Sequence, residues 1–384
     1  MQPRQIFVKS LHRRGLLIEL ILIQILFITA PICALASSWG PYRGVNVEPS
    51  IDERGIAAIG KMHVNLIRIS FDSAPLMHKT APYSINEANF AKLDRILSWC
   101  KKYHIRVVID PHTTPGTRLR TTTLPGDPLW QDQHWHYDLV KLWRFIAKRY
   151  KSAGPLIAGY DLLNEPSAPN GYPRGGPGDW NLLAKTLVKT IRSEGDNHWI
   201  IVETAVGKDR SGRVLDRLQA VSELVLPNDA KLVVSVHMYV PLQFTHQGIE
   251  GRKLGVKYPG EIGGSYFDNK KLALLMAPVR AFEKKHDVPI FVGEFGASIY
   301  GGRSADRYLA DLMSIFNNFG WSWAYHNYRA SHVWDPEYPI LRPGCAQHRC
   351  MGSDATVRMI LLKKYWKGNE FHSAKEETLT SEQL

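Results

Sequence analysis

Eight short runs of apolar and β-branched residues recur along the chain, and amphipathic stretches of helical period separate them. Runs that are apolar throughout indicate a parallel sheet whose outer face is covered, and the amphipathic stretches are typical of the covering helices. Eight strand–helix alternations over about 325 residues predict an α/β fold, the (β/α)8 or TIM barrel. The runs begin at Tyr42, Val64, Ile105, Leu156, Trp199, Lys231, Val288 and Trp321.

A doubly wound open sheet is the alternative architecture. It normally carries a glycine-rich phosphate-binding turn after the first strand, and "YRGVNVEPS" (residues 42–50) has none. No linker or low-complexity segment divides the chain. We therefore expect a single barrel domain over residues 37–366, with a polar, flexible tail over residues 367–384.

The N-terminal segment has the pattern of a signal peptide. Lys9, Arg13 and Arg14 precede an apolar run over residues 16–30, and "ALA" (34–36) offers a cleavage site before Ser37. The run is shorter than the roughly 20 apolar residues of a membrane-spanning helix. The sequence predicts a signal peptide over residues 1–36 and a secreted or periplasmic protein with no stable membrane insertion; an uncleaved anchor is the alternative.

Charge and cysteine content point to no special partner. The formal net charge is +12, but lysine and arginine are interspersed with acidic residues and no nucleic-acid-binding motif occurs. We therefore expect no nucleic-acid partner and a monomer. Cys345 and Cys350 could form a disulfide across a small loop, and Cys100 is expected to be a buried thiol.

Polar residues cluster where the predicted strands end. In a barrel of this type the carboxyl ends of the strands form one rim, and the active site lies there. Buried carboxylates cost several kcal/mol unless they are paired, so their presence on this rim needs a reason. The strand-end residues are Arg68, Ser70, Asp110, His112, Asn164, Glu165, His237, Tyr239, Glu294, Trp323 and His326.

Two of these residues form a candidate catalytic pair. Glu165 and Glu294 end the fourth and seventh predicted strands, so they approach the barrel mouth from different sides. Two facing carboxylates suit glycoside hydrolysis, in which one gives a proton to the leaving oxygen and the other attacks or activates water. The alternative is two unrelated glutamates in salt bridges.

Taken together, the strand-end residues resemble glycoside hydrolase family 5, the cellulase family. The resemblance spans about residues 40–364, and the motifs "FTHQG" (244–248) and "YHNYR" (325–329) are similar to endoglucanase-type members. It rests on an arginine, a histidine, Asn-Glu-Pro, His-x-Tyr, Glu-Phe-Gly and a final tryptophan. In this chain they are Arg68, His112, Asn164, Glu165, His237, Tyr239, Glu294 and Trp323.

The resemblance implies a role for each carboxylate. Glu165 would be the acid/base, with a pKa raised by the nearby charge of Glu294. Glu294 would be the nucleophile, with Arg68 supplying a compensating charge and Tyr239 an orienting hydrogen bond.

The resemblance also implies substrate contacts. Asn164 would bind the 2-hydroxyl of the sugar under attack, and His112 and His237 would bind groups around it. Trp323 would be the stacking floor for that sugar.

Three further features lie outside this pattern. Trp130 and Trp135 follow the third strand, where they could form outer sugar subsites. His134 and His136 have a His-x-His spacing, but they open a helix rather than end a strand, so we expect no metal site and no cofactor. The glycine-rich segment 171–180 lacks the Lys-Ser/Thr of a phosphate-binding loop and is expected to lie beside the cleft.

The sequence thus predicts a retaining endo-β-glycosidase that acts on a β-linked polysaccharide, a β-1,4-glucan such as cellulose. Retention predicts carboxyl groups about 5–5.5 Å apart, whereas inversion requires about 6.5–9.5 Å. The alternatives are another β-glycan specificity (mannan, xyloglucan or mixed-linkage glucan) and a catalytically silent carbohydrate-binding barrel.

Overall fold

Eight parallel strands close into a barrel in the computed structural model, which describes residues 39–117, 126–168, 175–209, 211–338 and 356–369. Each strand pairs with its sequence neighbours, and β1 pairs with β8. The predicted (β/α)8 barrel is confirmed. The strands are β1 (Arg43–Val47), β2 (Leu66–Ser70), β3 (Arg106–Asp110), β4 (Ile157–Asp161), β5 (Trp199–Glu203), β6 (Leu232–Met238), β7 (Ile290–Phe295) and β8 (Ser322–Tyr325).

Helices cover the barrel between the strands. Several begin at a capping side chain; Asp52, for example, accepts the Gly55 backbone N–H at 2.8 Å. The connection after β5 has the 3-10 turn Gln219–Glu223 where the others have an α-helix. The α-helices are α1 (Glu53–Lys61), α2 (Glu87–Lys102), α3 (His134–Tyr150), α4 (Trp180–Ser193), α5 (Leu242–Thr245), α6 (Asn269–Leu275), α7 (Ala277–His286), α8 (Gly302–Phe319) and α9 (Val357–Trp366).

Two small sheets were not predicted from the sequence. Ser167–Ala168, Val206–Lys208 and Val214–Leu215 form a three-stranded sheet. Gly260–Ile262 and Ser265–Phe267 form a hairpin. Both follow barrel strands, so they belong to the loops on the carboxyl-end side of the barrel.

Side-chain alternation along the strands explains where the functional groups lie. A small apolar cluster fills the barrel interior and includes Leu66, Ile201 and Val233. Because strand side chains alternate between two faces, residues two or four positions later point into the same interior, nearer the mouth. By this rule Arg68, Glu203 and His237 also point inward, and all three are buried.

The ends of the chain differ in part from the predicted boundaries. Lys367–Asn369 form a further turn, and the Asn369 amide donates to the His63 carbonyl at 2.7 Å. The barrel therefore includes at least three residues that were assigned to a flexible tail. The predicted signal peptide, Cys345, Cys350 and residues 370–384 lie outside the described residues. Cys100 is a buried thiol, as expected.

In the part of the chain that the structure describes, no helix combines the length and apolar character needed to cross a bilayer.

Candidate active site

The carboxyl ends of the strands bring seven of the eight residues of the family pattern together. Arg68, His237 and Glu294 lie on strands, and Tyr239 follows β6 directly. Asn164 and Glu165 lie in the turn after β4, which ends at Asp161, rather than at the end of the strand itself. His112 follows β3, and Trp323 is the residue that lies elsewhere.

A β-bulge turns Glu294 into the mouth. The pairing of β7 with β6 shifts between Val292 and Glu294, so that Glu294 lies opposite His237. Gly293 lies in this bulge, where a Cβ would approach Ser235 Oγ to 2.7 Å and His237 Nε2 to 3.1 Å. Bulges re-aim side chains beside active sites, and glycine leaves His237 undisturbed here.

The carboxylates of Glu165 and Glu294 face each other, with the imidazole of His237 beside both. His237 Nδ1 lies 2.9 Å from Glu165 Oε1 and 3.7 Å from Glu294 Oε2. One oxygen of each carboxylate lies within 4.8 Å of the other. This is the close approach of the nearest oxygens that direct attack by a carboxylate needs, for which glycosidases keep the carboxyl groups about 5–5.5 Å apart.

Hydrogen-bond donors surround Glu294. Arg68 Nη1 donates to Oε1 at 2.9 Å, and Tyr239 Oη donates to Oε2 at 2.9 Å. Burial alone would raise the pKa of Glu294, but the neighbouring imidazole and guanidinium groups, His237 first, hold it well below its usual range. Glu294 is therefore an ionised carboxylate in a fixed orientation, as a nucleophile requires.

Arg68 is completely buried and lies among four carboxylates. Removing a guanidinium from water costs several kcal/mol, and only close partners offset that cost. One of these partners is Glu294, which therefore lies next to the positive charge of the Arg68 guanidinium at the bottom of the mouth. The four partners and their distances are Asp161 at 2.9 Å, Glu294 at 2.9 Å, Asp110 at 3.1 Å and Glu203 at 3.1 Å.

Asn164 and His112 are each oriented by a buried charged neighbour. Asn164 Oδ1 accepts from Arg68 Nη2 at 2.9 Å. His112 Nδ1 lies 2.6 Å from Asp110 Oδ2, and the His112 backbone N–H donates to Asp110 Oδ1 at 2.8 Å. Burial would lower the pKa of His112, but the charge of Asp110 outweighs burial and raises it. Both side chains are therefore held in single orientations beside the carboxylate pair.

The surroundings of Glu165 contradict the predicted direction of its pKa. Arg217 Nη2 lies 3.0 Å from Glu165 Oε2, while His237 binds Oε1. Burial and the charge of Glu294 raise the pKa of Glu165, but Arg217 and His237 together lower it below its usual value. The expectation of a raised pKa is therefore wrong for the free protein, because two cations outweigh one anion and burial.

Glu165, His237 and Glu294 also have the spacing of a metal-ligand group. Burial lowers the pKa of His237, but the charges of Glu203 and Glu294 raise it to about 10. In the free protein the three residues are therefore held together as an ion-paired group, with His237 Nδ1 near both Glu165 and Glu294.

Trp323 does not reach the mouth, which contradicts its predicted role as a stacking floor. Its side chain is fully buried, and its indole N–H donates to Asn317 Oδ1 on α8 at 3.2 Å. Its ring packs edge-on against Phe295 with centroids 5.5 Å apart. Because Ala324 points into the barrel interior, its neighbour Trp323 points outward to the helices.

Trp334 lies beside the mouth, with 9% of its surface exposed. Its ring centroid is 5.0 Å from His246, 5.7 Å from His326 and 5.8 Å from Tyr239, the residue that hydrogen-bonds to Glu294. It lies in the loop after β8, where no strand or helix periodicity marks its position. Sequence reasoning therefore missed it in favour of the tryptophan inside the strand.

The two proposed outer-subsite tryptophans differ. Trp130 is only 2% exposed and packs edge-on against Trp180, so the structure contradicts a subsite role for it. Trp135 is half-buried at the start of α3 and packs against Tyr83 with centroids 5.0 Å apart. Its neighbour His136 is buried and bonds through Nε2 to the Leu129 carbonyl at 3.0 Å.

Sequence reasoning also missed Glu203 and Arg217. Glu203 is the last residue of β5, and Glu294 is the last residue but one of β7. The polar residue at the end of the strand was therefore a signal from which Glu203 could have been predicted. Arg217 lies between the small sheet and the Gln219–Glu223 turn, and nothing in its local sequence indicates a contact with Glu165.

Comparison with known proteins agrees with this geometry. The family model described as Cellulase (glycosyl hydrolase family 5) matches residues 33–331. Endoglucanase C of Acetivibrio thermocellus is 28% identical over 308 residues, which cover 73% of this chain and 84% of the relative. Cellodextrinase A of Ruminococcus flavefaciens is 22% identical over 324 residues, covering 83% and 86%.

Solved structures show the same fold. A hyperthermophilic endo-β-1,4-glucanase in complex with substrate superposes with a TM-score of 0.66 at 21% identity, covering 84% of this chain and 97% of that one. The endoglucanase Cel5A of Thermotoga maritima superposes with a TM-score of 0.61 at 26% identity, covering 77% and 92%. Because the family match extends over most of its length, the chain belongs to glycoside hydrolase family 5, the cellulase family.

Proposed function

We propose that this glycoside hydrolase is a retaining endo-β-1,4-glucanase in which Glu294 is the nucleophile and Glu165 the acid/base. The observation that carries the proposal is the facing pair, with one oxygen of each carboxylate within 4.8 Å of the other. The endoglucanases among its relatives support the glucan specificity.

The chemistry proceeds in two displacements. In the first, a Glu294 oxygen bonds to the anomeric carbon while the glycosidic C–O bond breaks and the leaving oxygen takes a proton from Glu165. In the second, Glu165 takes a proton from water, the water oxygen bonds to the anomeric carbon, and Glu294 leaves. Arg68 and Tyr239 bind the two oxygens of Glu294 and keep it ionised for attack.

Glu165 needs a proton before the first step, and Arg217 opposes its uptake. Arg217 and His237 each contact one Glu165 oxygen in the free protein, so the glycosidic oxygen competes with them for the carboxyl group. The His237 side chain is completely buried, whereas that of Arg217 is 17% exposed on a loop. We therefore expect Arg217 to leave when substrate binds, which removes a charge that keeps Glu165 ionised.

The remaining residues of the family pattern are proposed to bind the sugar under attack. Asn164 would contact its 2-hydroxyl, and His112 and His237 would contact neighbouring groups. Trp334 takes the aromatic position that was predicted for Trp323. Trp135, together with Tyr83, is proposed to form an outer subsite.

A mannan specificity is the second candidate. One structural neighbour, Cel5A of Thermotoga maritima at 24% identity, is described in complex with a mannotriose substrate. Glucose and mannose differ in the orientation of the 2-hydroxyl, the group assigned to Asn164. A silent carbohydrate-binding barrel is less favoured, because both carboxylates are present and hydrogen-bonded to their supports.

The test is a panel of cellulose oligomers, mixed-linkage β-glucan, xyloglucan and mannan with analysis of the released oligosaccharides. We expect internal cleavage of β-1,4-glucan to be fastest. Faster cleavage of mannan would favour the second candidate, and binding without any cleavage would favour the silent barrel.

We also propose that the enzyme is an exported monomer, with no nucleic-acid partner and no stable membrane insertion. The proposal of export rests on the N-terminal sequence pattern, and cleavage would leave Ser37 as the first residue of the mature protein. N-terminal sequencing of exported protein tests this, since a protein that begins at Met1 would contradict cleavage.

Trp334→Ala and Trp323→Phe should separate a binding role from a packing role. Trp334→Ala is expected to lower kcat/KM on cellulose oligomers by at least about tenfold, as loss of a good pocket contact does. Trp323→Phe leaves a small cavity and removes the indole donor to Asn317, which keeps its hydrogen bond from Arg43, so the free energy of unfolding should fall by about 1–2 kcal/mol. Its kcat/KM should stay near that of the wild type. Initial rates measure kcat/KM and thermal unfolding measures stability. A large loss of kcat/KM in Trp323→Phe, with little loss in Trp334→Ala, would show that Trp323 and not Trp334 contacts the substrate.

Arg217→Gln should move the alkaline limb of the kcat/KM pH profile to higher pH. Arg217 favours the ionised form of Glu165, so its removal raises the pKa of that carboxyl and keeps the acid protonated further into the alkaline range. The kcat/KM profile reports on the free enzyme, in which the Arg217 contact exists. Arg217→Lys keeps the charge and is the control. An unchanged limb in Arg217→Gln would contradict an electrostatic effect on Glu165.

A further inference from the structure

Glu203 is a buried carboxylate at the site that the two displacement steps do not use. It is the last residue of β5, it is 1% exposed, and its backbone carbonyl accepts the Trp180 indole N–H at 2.8 Å. A buried carboxylate costs several kcal/mol unless it is paired. The contacts of its two oxygens therefore indicate its role.

The two oxygens reach different parts of the site. Oε1 of Glu203 lies 3.1 Å from Arg68 Nη2 and 3.2 Å from His237 Nε2. Oε2 accepts the backbone N–H of Glu165 at 2.9 Å. Arg68 binds Glu294, and His237 binds Glu165. One carboxylate thus contacts the supports of both members of the facing pair.

The contact with the Glu165 backbone matters because that residue has an unfavourable conformation. Its φ is +45°, in the left-handed region. For a residue with a side chain this region is unfavourable, and it persists where the surrounding structure holds it. The hydrogen bond from the Glu165 N–H to Glu203 Oε2 therefore stabilises the turn that directs the Glu165 side chain to the mouth.

Neutralisation of Arg68 does not account for Glu203. Asp110, Asp161 and Glu294 already lie within 3.1 Å of the guanidinium. Burial first, and then the charge of Glu203, raises the pKa of Asp161 well above its usual value. A fourth carboxylate adds repulsion, so its presence points to another role.

We propose that Glu203 is a positioning residue, whose Oε2 fixes the turn that presents Glu165 and whose Oε1 fixes the His237 ring that hydrogen-bonds to Glu165. The inference rests on the proposed function, because it takes Glu165 as the acid/base. Loss of these contacts should displace the Glu165 carboxylate. Glu294 keeps Arg68 and Tyr239, so proton donation should suffer more than nucleophilic attack.

The test compares Glu203→Gln and Glu203→Asp with Asp161→Asn on two substrates. Cellotetraose needs protonation of its leaving oxygen, whereas a dinitrophenyl β-cellobioside does not. For both Glu203 variants, we expect kcat/KM to fall at least about tenfold more on cellotetraose than on the aryl glycoside. This factor is smaller than the whole contribution of general acid catalysis, because Glu165 itself remains. Asp161→Asn alters the surroundings of Arg68 Nε, and it should change kcat/KM for both substrates by the same factor.

Glu203→Asp keeps the charge but is one methylene shorter, so it carries the test if thermal unfolding shows that Glu203→Gln does not fold. The alkaline limb of the kcat/KM profile should also move in both variants, which a purely structural defect would not cause. Equal losses on the two substrates, with an unmoved limb, would overturn the positioning role while leaving the proposed function intact. A wild-type protein that cleaves neither substrate would instead overturn the proposed function and the inference with it.

Discussion

Replacement of Glu294 with alanine is expected to reduce turnover by about 10⁴-fold or more, the scale on which loss of a catalytic nucleophile acts in other enzymes. Added azide should restore part of the activity on an aryl β-cellobioside. The small anion can occupy the space beside Arg68 and Tyr239, which bind the two Glu294 oxygens, and attack the anomeric carbon from that face. The product should be the α-configured glycosyl azide.

Glu294→Gln is the matched control, because it removes the charge and leaves no space for azide. We expect it to be as inactive as the alanine variant and to show no recovery. The anomeric configuration of the azide product is read by nuclear magnetic resonance. A β-configured azide from Glu294→Ala, or equal recovery in both variants, would contradict the assignment of Glu294 as nucleophile.

Replacement of Glu165 with alanine should separate substrates by their leaving groups. The nucleophile remains, so an aryl glycoside that needs no protonation should retain much of its kcat/KM. Cellulose oligomers should lose about 10²–10⁴-fold, the usual contribution of general acid catalysis. Without a base to activate water, the covalent intermediate should accumulate. Azide should then attack it from the side that Glu165 leaves open and give the β-configured glycosyl azide.

The leaving-group comparison is made on kcat/KM, because that constant includes glycosylation and excludes the later hydrolysis step. Glu165→Gln is the control of nearly equal volume, which should show the same substrate preference without azide recovery. Equal damage to aryl and natural substrates in Glu165→Ala would show that Glu165 is not the proton donor.

The strands and the strand-end chemistry could be predicted because parallel barrel strands have a strong local signal. Six of the eight apolar runs were predicted to end in polar residues that the strand does not need, as in "VSVHMY" around His237 and "FVGEFG" around Glu294. The fold then brings these ends to one rim whatever the loops do. The same signal exists for Glu203 in "IIVE", and it could have been recognised.

Orientation within the barrel and contacts from loops could not be predicted in the same way. Trp323 and Ala324 are neighbours, and which one points inward depends on barrel registration rather than on either residue type. Arg217 and Trp334 lie in loops that have no period from which to place them. The direction of the Glu165 pKa depended on Arg217, so a missed loop contact reversed a prediction made from the two carboxylates alone.

The central claim is that Glu294 forms a covalent bond to the sugar, and labelling tests it most directly. We would use a dinitrophenyl β-cellobioside with fluorine in place of the 2-hydroxyl. Its good leaving group should allow the covalent intermediate to form, and the hydrolysis of that intermediate should be slow. Mass spectrometry of the digested wild-type protein should then find one fluorocellobiosyl group on the peptide that contains Glu294. A label on Glu165, or complete inactivation without any covalent label, would contradict the account.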